Sequence, residues 1–189
     1  MKRRLTAAVL LCICLALRAG RELEGVELIQ TLGIDRAEDT GGILLAAATD
    51  GGEGEVFRAA GADVILAQEN LRWVGTRRLE LTHVTHLVLG ADAPLAEVLE
   101  QEVTHRKSGY GARVWLAEGS SAGELLEAGD DPTGRLGSLE QNAGVEAPTI
   151  LEALSRLREE GEVRLPNLRL GEDGELTFAG YETRREARR

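Results

Sequence analysis

The sequence predicts an α/β domain built on a mixed α+β plan: one mixed sheet, helices packed on it, and a hairpin at the C-terminal end. Three observations predict it. Short apolar runs bounded by glycine-containing turns recur along the chain and read as strands. Between them lie stretches whose apolar residues return at helical spacing. Two further runs, separated by Gly171 to Gly174, read as a closing pair of strands.

Val26 to Ile34 is apolar-rich, ends at Gly33-Ile34-Asp35 and reads as a strand. Thr40-Gly41-Gly42 is a turn signal, and Ile43 to Ala48 gives a second strand, so the pair reads as a hairpin. Asp63 to Val74 places Val64, Ala67, Leu71 and Val74 on one helical face, with Asp63 as an acid for the first turn. Leu81 to Leu89 reads as one buried strand ending at Gly90. Pro94 to Arg106 follows as a helix, with proline suited to its first position and Leu95, Val98, Leu99 and Val103 as its apolar face. Arg113 to Ala117 is a short strand, and Ser120 to Ala128 a short helix stopped by Gly129.

Asp130 to Gly144 carries Pro132, Gly134, Gly137 and Gly144 and reads as a loop. Pro148 to Glu160 is a helix with Ile150, Leu151, Leu154 and Leu157 on one face, and Gly161 is placed to end it. Val163 to Leu170 and Glu175 to Tyr181 form the closing hairpin, whose first arm is an edge strand or a bulged one because of Pro166. The basic tail from Arg184 to Arg189 reads as disordered.

Residues 1–20 read as a signal peptide or membrane anchor. Lys2, Arg3 and Arg4 form a positive start, and Leu5 to Leu17 is an uncharged apolar stretch of export-signal length, short for a spanning helix. The only cysteines, Cys12 and Cys14, lie inside it. They read either as small apolar residues of that stretch or as lipidation sites, although Leu11 and Ile13 stand where a lipoprotein signal places a small residue. Removing this segment takes away Lys2, Arg3, Arg4 and Arg18 and leaves 18 basic side chains against 32 acidic ones, a net charge of −14. Such a surface repels phosphate backbones, which argues against nucleic-acid binding, and it stays near anionic lipid only if tethered.

Catalytic, cofactor and metal sites are not expected. His83 and His86, three apart in one predicted strand, point to opposite faces and do not share a metal; with His105 they read as hydrogen-bonded strand or surface residues. Gly51-Gly52-Glu53-Gly54 lacks the Lys-Ser/Thr of a phosphate loop and reads as a turn. Ser120-Ser121 read as a helix cap. Trp73 and Trp115 read as core or half-buried residues, with a partner surface as the sharper alternative.

Residues 21–183 resemble the N-terminal domain of the GerC family, the lipoprotein subunit of nutrient germinant receptors. Arg21-Glu22-Leu23, Val26 to Ile29 and Gly33-Ile34-Asp35 are similar to the start of that family's mature domain. Thr82-His83-Val84 with His86 to Gly90 resembles its histidine-containing strand ending in Leu-Gly. Pro94 to Arg106, Arg113 to Leu126, Leu165-Pro166 and Phe178-Ala179-Gly180 follow in the family's order. The resemblance implies a non-enzymatic, cofactor-free subunit acting in spore germination at the outer face of the spore inner membrane, beside membrane-spanning receptor subunits. Two departures stand out. Ala19-Gly20 occupies the place where the family has its lipid-modified cysteine, and the family continues into further domains where this chain stops near Arg189, as in a truncated or specialised member. The alternative expectation is a free extracytoplasmic module that binds a small ligand or peptide.

Overall fold

The computed structural model describes residues 25–49, 55–105, 109–128 and 131–185. The leader with Cys12 and Cys14, the Arg21-Glu22-Leu23 segment, the Gly51 to Gly54 turn and the tail beyond Arg185 lie outside the described residues. The elements are β1 (Val26–Arg36), β2 (Ile43–Thr49), β3 (Val56–Gly61), α1 (Val64–Leu71), β4 (Arg78–Glu80), β5 (His86–Leu89), α2 (Leu95–His105), β6 (Arg113–Ala117), α3 (Ala122–Ala128), α4 (Pro132–Gln141), α5 (Ile150–Glu160), β7 (Glu162–Leu170) and β8 (Leu176–Arg185).

The expected mixed sheet is present, with strand order β3-β2-β1-β5-β6-β7-β8 and β4 paired to the start of β1. Its centre, β1-β5-β6-β7, is parallel, and antiparallel strands flank it on both sides. Parallel neighbours need covered faces, and the five helices supply the cover. Ile34, Leu87, Leu89, Val114, Leu116 and Leu165 pack under α1, α2 and α5. Val88, Trp115, Ala117 and Leu168 pack under α3 and α4 on the other face. The result is three layers with a core on each side of the sheet.

Local chemistry sets the helix ends. Asp63 accepts a hydrogen bond from Leu66 N–H at 2.8 Å and caps α1. Thr149 and Glu152 form a reciprocal capping box on α5, and Gly161 ends that helix in the left-handed conformation with φ 75°.

Several expectations are corrected. β3 leaves no sign in the sequence: it is an edge strand whose burial alternates from Phe57 to Gly61, while its residues Val56-Phe57 and Ala59-Ala60 are apolar on both faces and show no period of two. It docks closely on α1, where a Cβ at Gly61 would lie 2.3 Å from the Ala67 nitrogen. The expected strand from Leu81 to Leu89 is shorter: Leu81 to Thr85 form a turn in which Val84 N–H donates to the Leu81 carbonyl, and only His86–Leu89 run as strand β5 beside β1, β4 lying just before at Arg78–Glu80. His83 therefore lies in the exposed turn while His86 is buried in β5. The first helix stops at Leu71, short of the expected Val74.

The expected loop from Asp130 to Gly144 contains α4. Its glycines are outweighed by Pro132 in the first turn, a cap from Asp131 to Gly134 N–H at 2.9 Å, and burial of Leu136. On α5, Leu151 is exposed and Ala153 takes a buried position instead. Pro166 was expected in an edge or bulged arm; instead β8 is the edge, and the extra residue at the register shift is Ala179 of β8, since Asn167 pairs with Gly180 and Leu168 with Phe178. Pro166 sits in β7 just before the two residues that pair with β6. Arg184 and Arg185, expected in a disordered tail, are paired in β8 with Val163 and Glu162.

Candidate functional site

Three of the resemblance positions, Gly33, Asp35 and Gly90, meet at the C-terminal ends of the parallel strands. Asp35, at the end of β1, is buried, and its carboxylate accepts from Ala122 N–H at 2.8 Å and Gly123 N–H at 2.9 Å. Ser121 accepts from Glu124 N–H at 3.1 Å, and Glu124 accepts in return from Ser121 N–H. The opening N–H groups of α3 thus gain partners within the fold, and the negative carboxylate sits favourably at that end. Hydrogen bonds from Ser121 hold the Glu124 carboxyl below its ordinary value. Gly33 allows close packing, since a Cβ there would sit 3.2 Å from the Cβ of Ala122. Gly90 leaves room for the carboxylate: its own Cβ would fall 2.1 Å from Asp35 Oδ1. Ile34 faces the opposite core and is fully buried. His83 lies in the exposed turn before β5.

A polar strip crosses the sheet beneath α4. Thr31 and Thr133 share a buried hydroxyl–hydroxyl bond of 2.7 Å. His86 lies beside Thr31 in register, and its Nδ1 accepts from Trp115 Nε1–H at 3.3 Å. Burial, with a smaller contribution from the Arg113 charge, pushes the imidazole down to about 4, so His86 is neutral.

A concavity opens where β6 and β7 part. The two strands pair only through Leu116–Asn167 and Ala117–Leu168. Below that point the chain entering α5 takes the place of β7: Val114 N–H donates to the Pro148 carbonyl, and Ile150 N–H donates to the Ala112 carbonyl. The resulting cavity of about 600 Å³ is lined by Arg113, Arg156, Arg164, Glu140, Glu152 and Tyr181 among others. Arg113 pairs with Glu140 at 3.3 Å and donates to the Ala147 carbonyl at 3.1 Å. Arg164 stacks over the ring of Tyr181, 4.1 Å from its centroid, and the Tyr181 hydroxyl accepts from Glu146 N–H at 2.9 Å. Burial raises the Glu140 carboxyl, against the opposing pull of Arg113. Hydrogen bonds from Thr149 hold the Glu152 carboxyl low, helped by Arg113 and Arg156.

Cations and carboxylates alternate around this cavity, and a tyrosine forms part of its wall. Such a lining suits a small molecule carrying a carboxylate together with an amine or hydroxyls. In the sequence Arg113 marks only the start of a strand, and nothing local distinguishes Arg156, Arg164 or Tyr181. The usable signal was hairpin register: Arg164 pairs with Thr183, which makes Tyr181 its diagonal neighbour.

Trp115 is fully buried as expected, but Trp73 is 81% exposed. Among the described residues, no group of three His, Cys, Asp or Glu side chains could hold a metal, and no helix is long and apolar enough to cross a membrane. The chain matches no protein-family model, no curated protein and no solved structure.

Proposed function

We propose that this chain is a non-enzymatic subunit of a nutrient germinant receptor-like complex, held at the outer face of the spore inner membrane and acting through contact with membrane-spanning partners. The supporting observation is the junction of Gly33, Asp35, Gly90 and Ala122. Gly33, Asp35 and Gly90 are among the resemblance positions and Ala122 lies in the similar Arg113 to Leu126 stretch, and they depend on one another physically: the carboxylate caps α3 only because Gly90 leaves it space. The apolar segment Leu5 to Leu17 supplies the means of export or anchoring.

The reading is tested by purifying the tagged full chain from detergent-solubilised spore membranes. Co-recovery of a multi-spanning subunit in fixed proportion is the expected result. Recovery of the chain alone, from vegetative cytoplasm, overturns it.

The arginine-lined cavity favours a second reading, a free extracytoplasmic module that captures a small ligand or peptide. A thermal-shift screen of the full chain with amino acids and sugars tests it. A shift that Arg164→Gln abolishes supports this reading, and the absence of a shift with every compound counts against it.

A further inference from the structure

Trp73 has the highest exposure of any large apolar side chain among the described residues. An indole left in water at 81% exposure gives up the burial that its size would otherwise gain. It stands in the connection from α1 to β4, Arg72-Trp73-Val74-Gly75-Thr76-Arg77, which contains two arginines and no acid and runs directly into Arg78.

This connection ends beside the point where the chain enters the fold. Arg78 N–H donates to the Gly25 carbonyl at 3.0 Å, and Arg77 pairs with Glu27 of β1 at 2.7 Å. Leu28, 45% exposed, lies opposite Glu80 of β4 at the same end of the sheet. The apolar segment Leu5 to Leu17 precedes that entry point by only eight residues, which span at most about 28 Å when fully extended. A bilayer that holds Leu5 to Leu17 therefore lies within about 28 Å of this entry point, which brings this end of the domain nearest to it.

Charge points the same way. The body carries −14 beyond residue 20, so most of its surface is repelled by anionic lipid. Here Arg77 and Arg78, both about 60% exposed, offset Glu27 and Glu80, and Arg72 of the same connection stands against Glu55, whose charge also acts on Arg77, so this end is less acidic than the body as a whole. Tryptophan is the side chain that favours the headgroup region, where its ring meets apolar matter and its N–H stays wet.

We infer that the Trp73 connection is a bilayer-docking surface: Trp73 seats in the headgroup region of an anionic membrane, Arg77 and Arg78 face lipid phosphates, and the domain is held with the N-terminal end of β1 toward the lipid. This rests on the reading that residues 1–20 hold the chain at a membrane.

The test uses the full chain with phosphatidylglycerol vesicles, with and without bromine on the acyl chains. Trp115 is fully buried, so a lipid-induced change in tryptophan emission reports Trp73. The expected result is a blue shift on vesicle binding and quenching by brominated lipid, both absent in Trp73→Phe. Trp73→Ser should weaken vesicle flotation by about tenfold, the factor that burial of one large apolar side chain supplies, while leaving the thermal midpoint unchanged. If the full chain floats with vesicles but its emission stays as in buffer and bromine has no effect, the connection faces away from lipid and the docking surface is overturned, with membrane attachment intact. If the full chain does not associate with vesicles at all, membrane attachment itself fails and the docking surface with it.

Discussion

Gly90 and Asp35 occupy each other's space: a Cβ on Gly90 would lie 2.1 Å from Oδ1 of the buried carboxylate that caps α3. A side chain at position 90 must displace that carboxylate or shift β5. Gly90→Ala should therefore destabilise the fold by about 2–4 kcal/mol, the range for losing charge-assisted bonds to buried N–H groups. Gly33→Ala, whose Cβ meets Ala122 at 3.2 Å, should cost clearly less. Asp35→Ala should match Gly90→Ala, and the double variant should cost little more than either single one, because both break the same cap. Urea unfolding of the four variants measures this.

His86 should make stability depend on pH. Its folded value is about 4 against an ordinary 6.5, so it is neutral in the fold and takes up a proton more readily when unfolded. Its contribution is fully present above pH 6.5 and is lost as the pH falls from 6.5 toward 4. The loss amounts to about 2 kcal/mol by pH 4.5. Glu140, held high by burial, responds in the opposite sense. His86→Gln keeps an acceptor for Trp115 Nε1 but cannot titrate, and should flatten the slope between pH 6.5 and 4.5 in urea titrations.

The two tryptophans should behave oppositely in the isolated protein. Trp115→Phe removes buried volume and leaves His86 Nδ1 without its donor, at a cost of about 2–4 kcal/mol. Trp73→Ser should change stability by less than about 0.5 kcal/mol, as exposed substitutions do. Thermal denaturation of the two variants distinguishes them.

The shared hydroxyl bond of Thr31 and Thr133 ties α4 to β1. Each single change to Val strands one buried hydroxyl and should cost about 1–2 kcal/mol. The double change strands neither and should cost less than the sum of the two. A double-mutant cycle in urea checks the coupling.

The fold was legible where a helix has one apolar face and where a strand is a continuous apolar run buried on both faces. α2 and α5 follow the spacing of Val98 and Leu99 and of Ile150, Leu154 and Leu157, and β1, β2 and β6 follow their dense apolar runs. α4 was hidden because Gly134 and Gly137 signal a loop, while its stability comes from Asp131, Pro132 and the tertiary burial of Leu136. β3 was hidden because Val56-Phe57 and Ala59-Ala60 set apolar residues side by side, so its alternating burial leaves no alternating pattern in the sequence. The cap of α3 by Asp35 joins residues 87 and 88 positions apart, so local spacing carries no sign of it. The cavity is less legible still: it exists because β7 leaves β6 after two paired residues, a consequence of how the Pro148–Thr149 segment inserts beside Arg113.

The central claim is that residues 1–20 deliver an acidic α/β body to the far side of a membrane. A fusion of alkaline phosphatase, which is active only outside the cytoplasm, after Arg185 of the full chain tests it most directly. The expected result is phosphatase activity that stays with the membrane fraction and disappears when Lys2 to Leu17 is deleted. An inactive fusion recovered as soluble protein from the cytoplasm would contradict the claim.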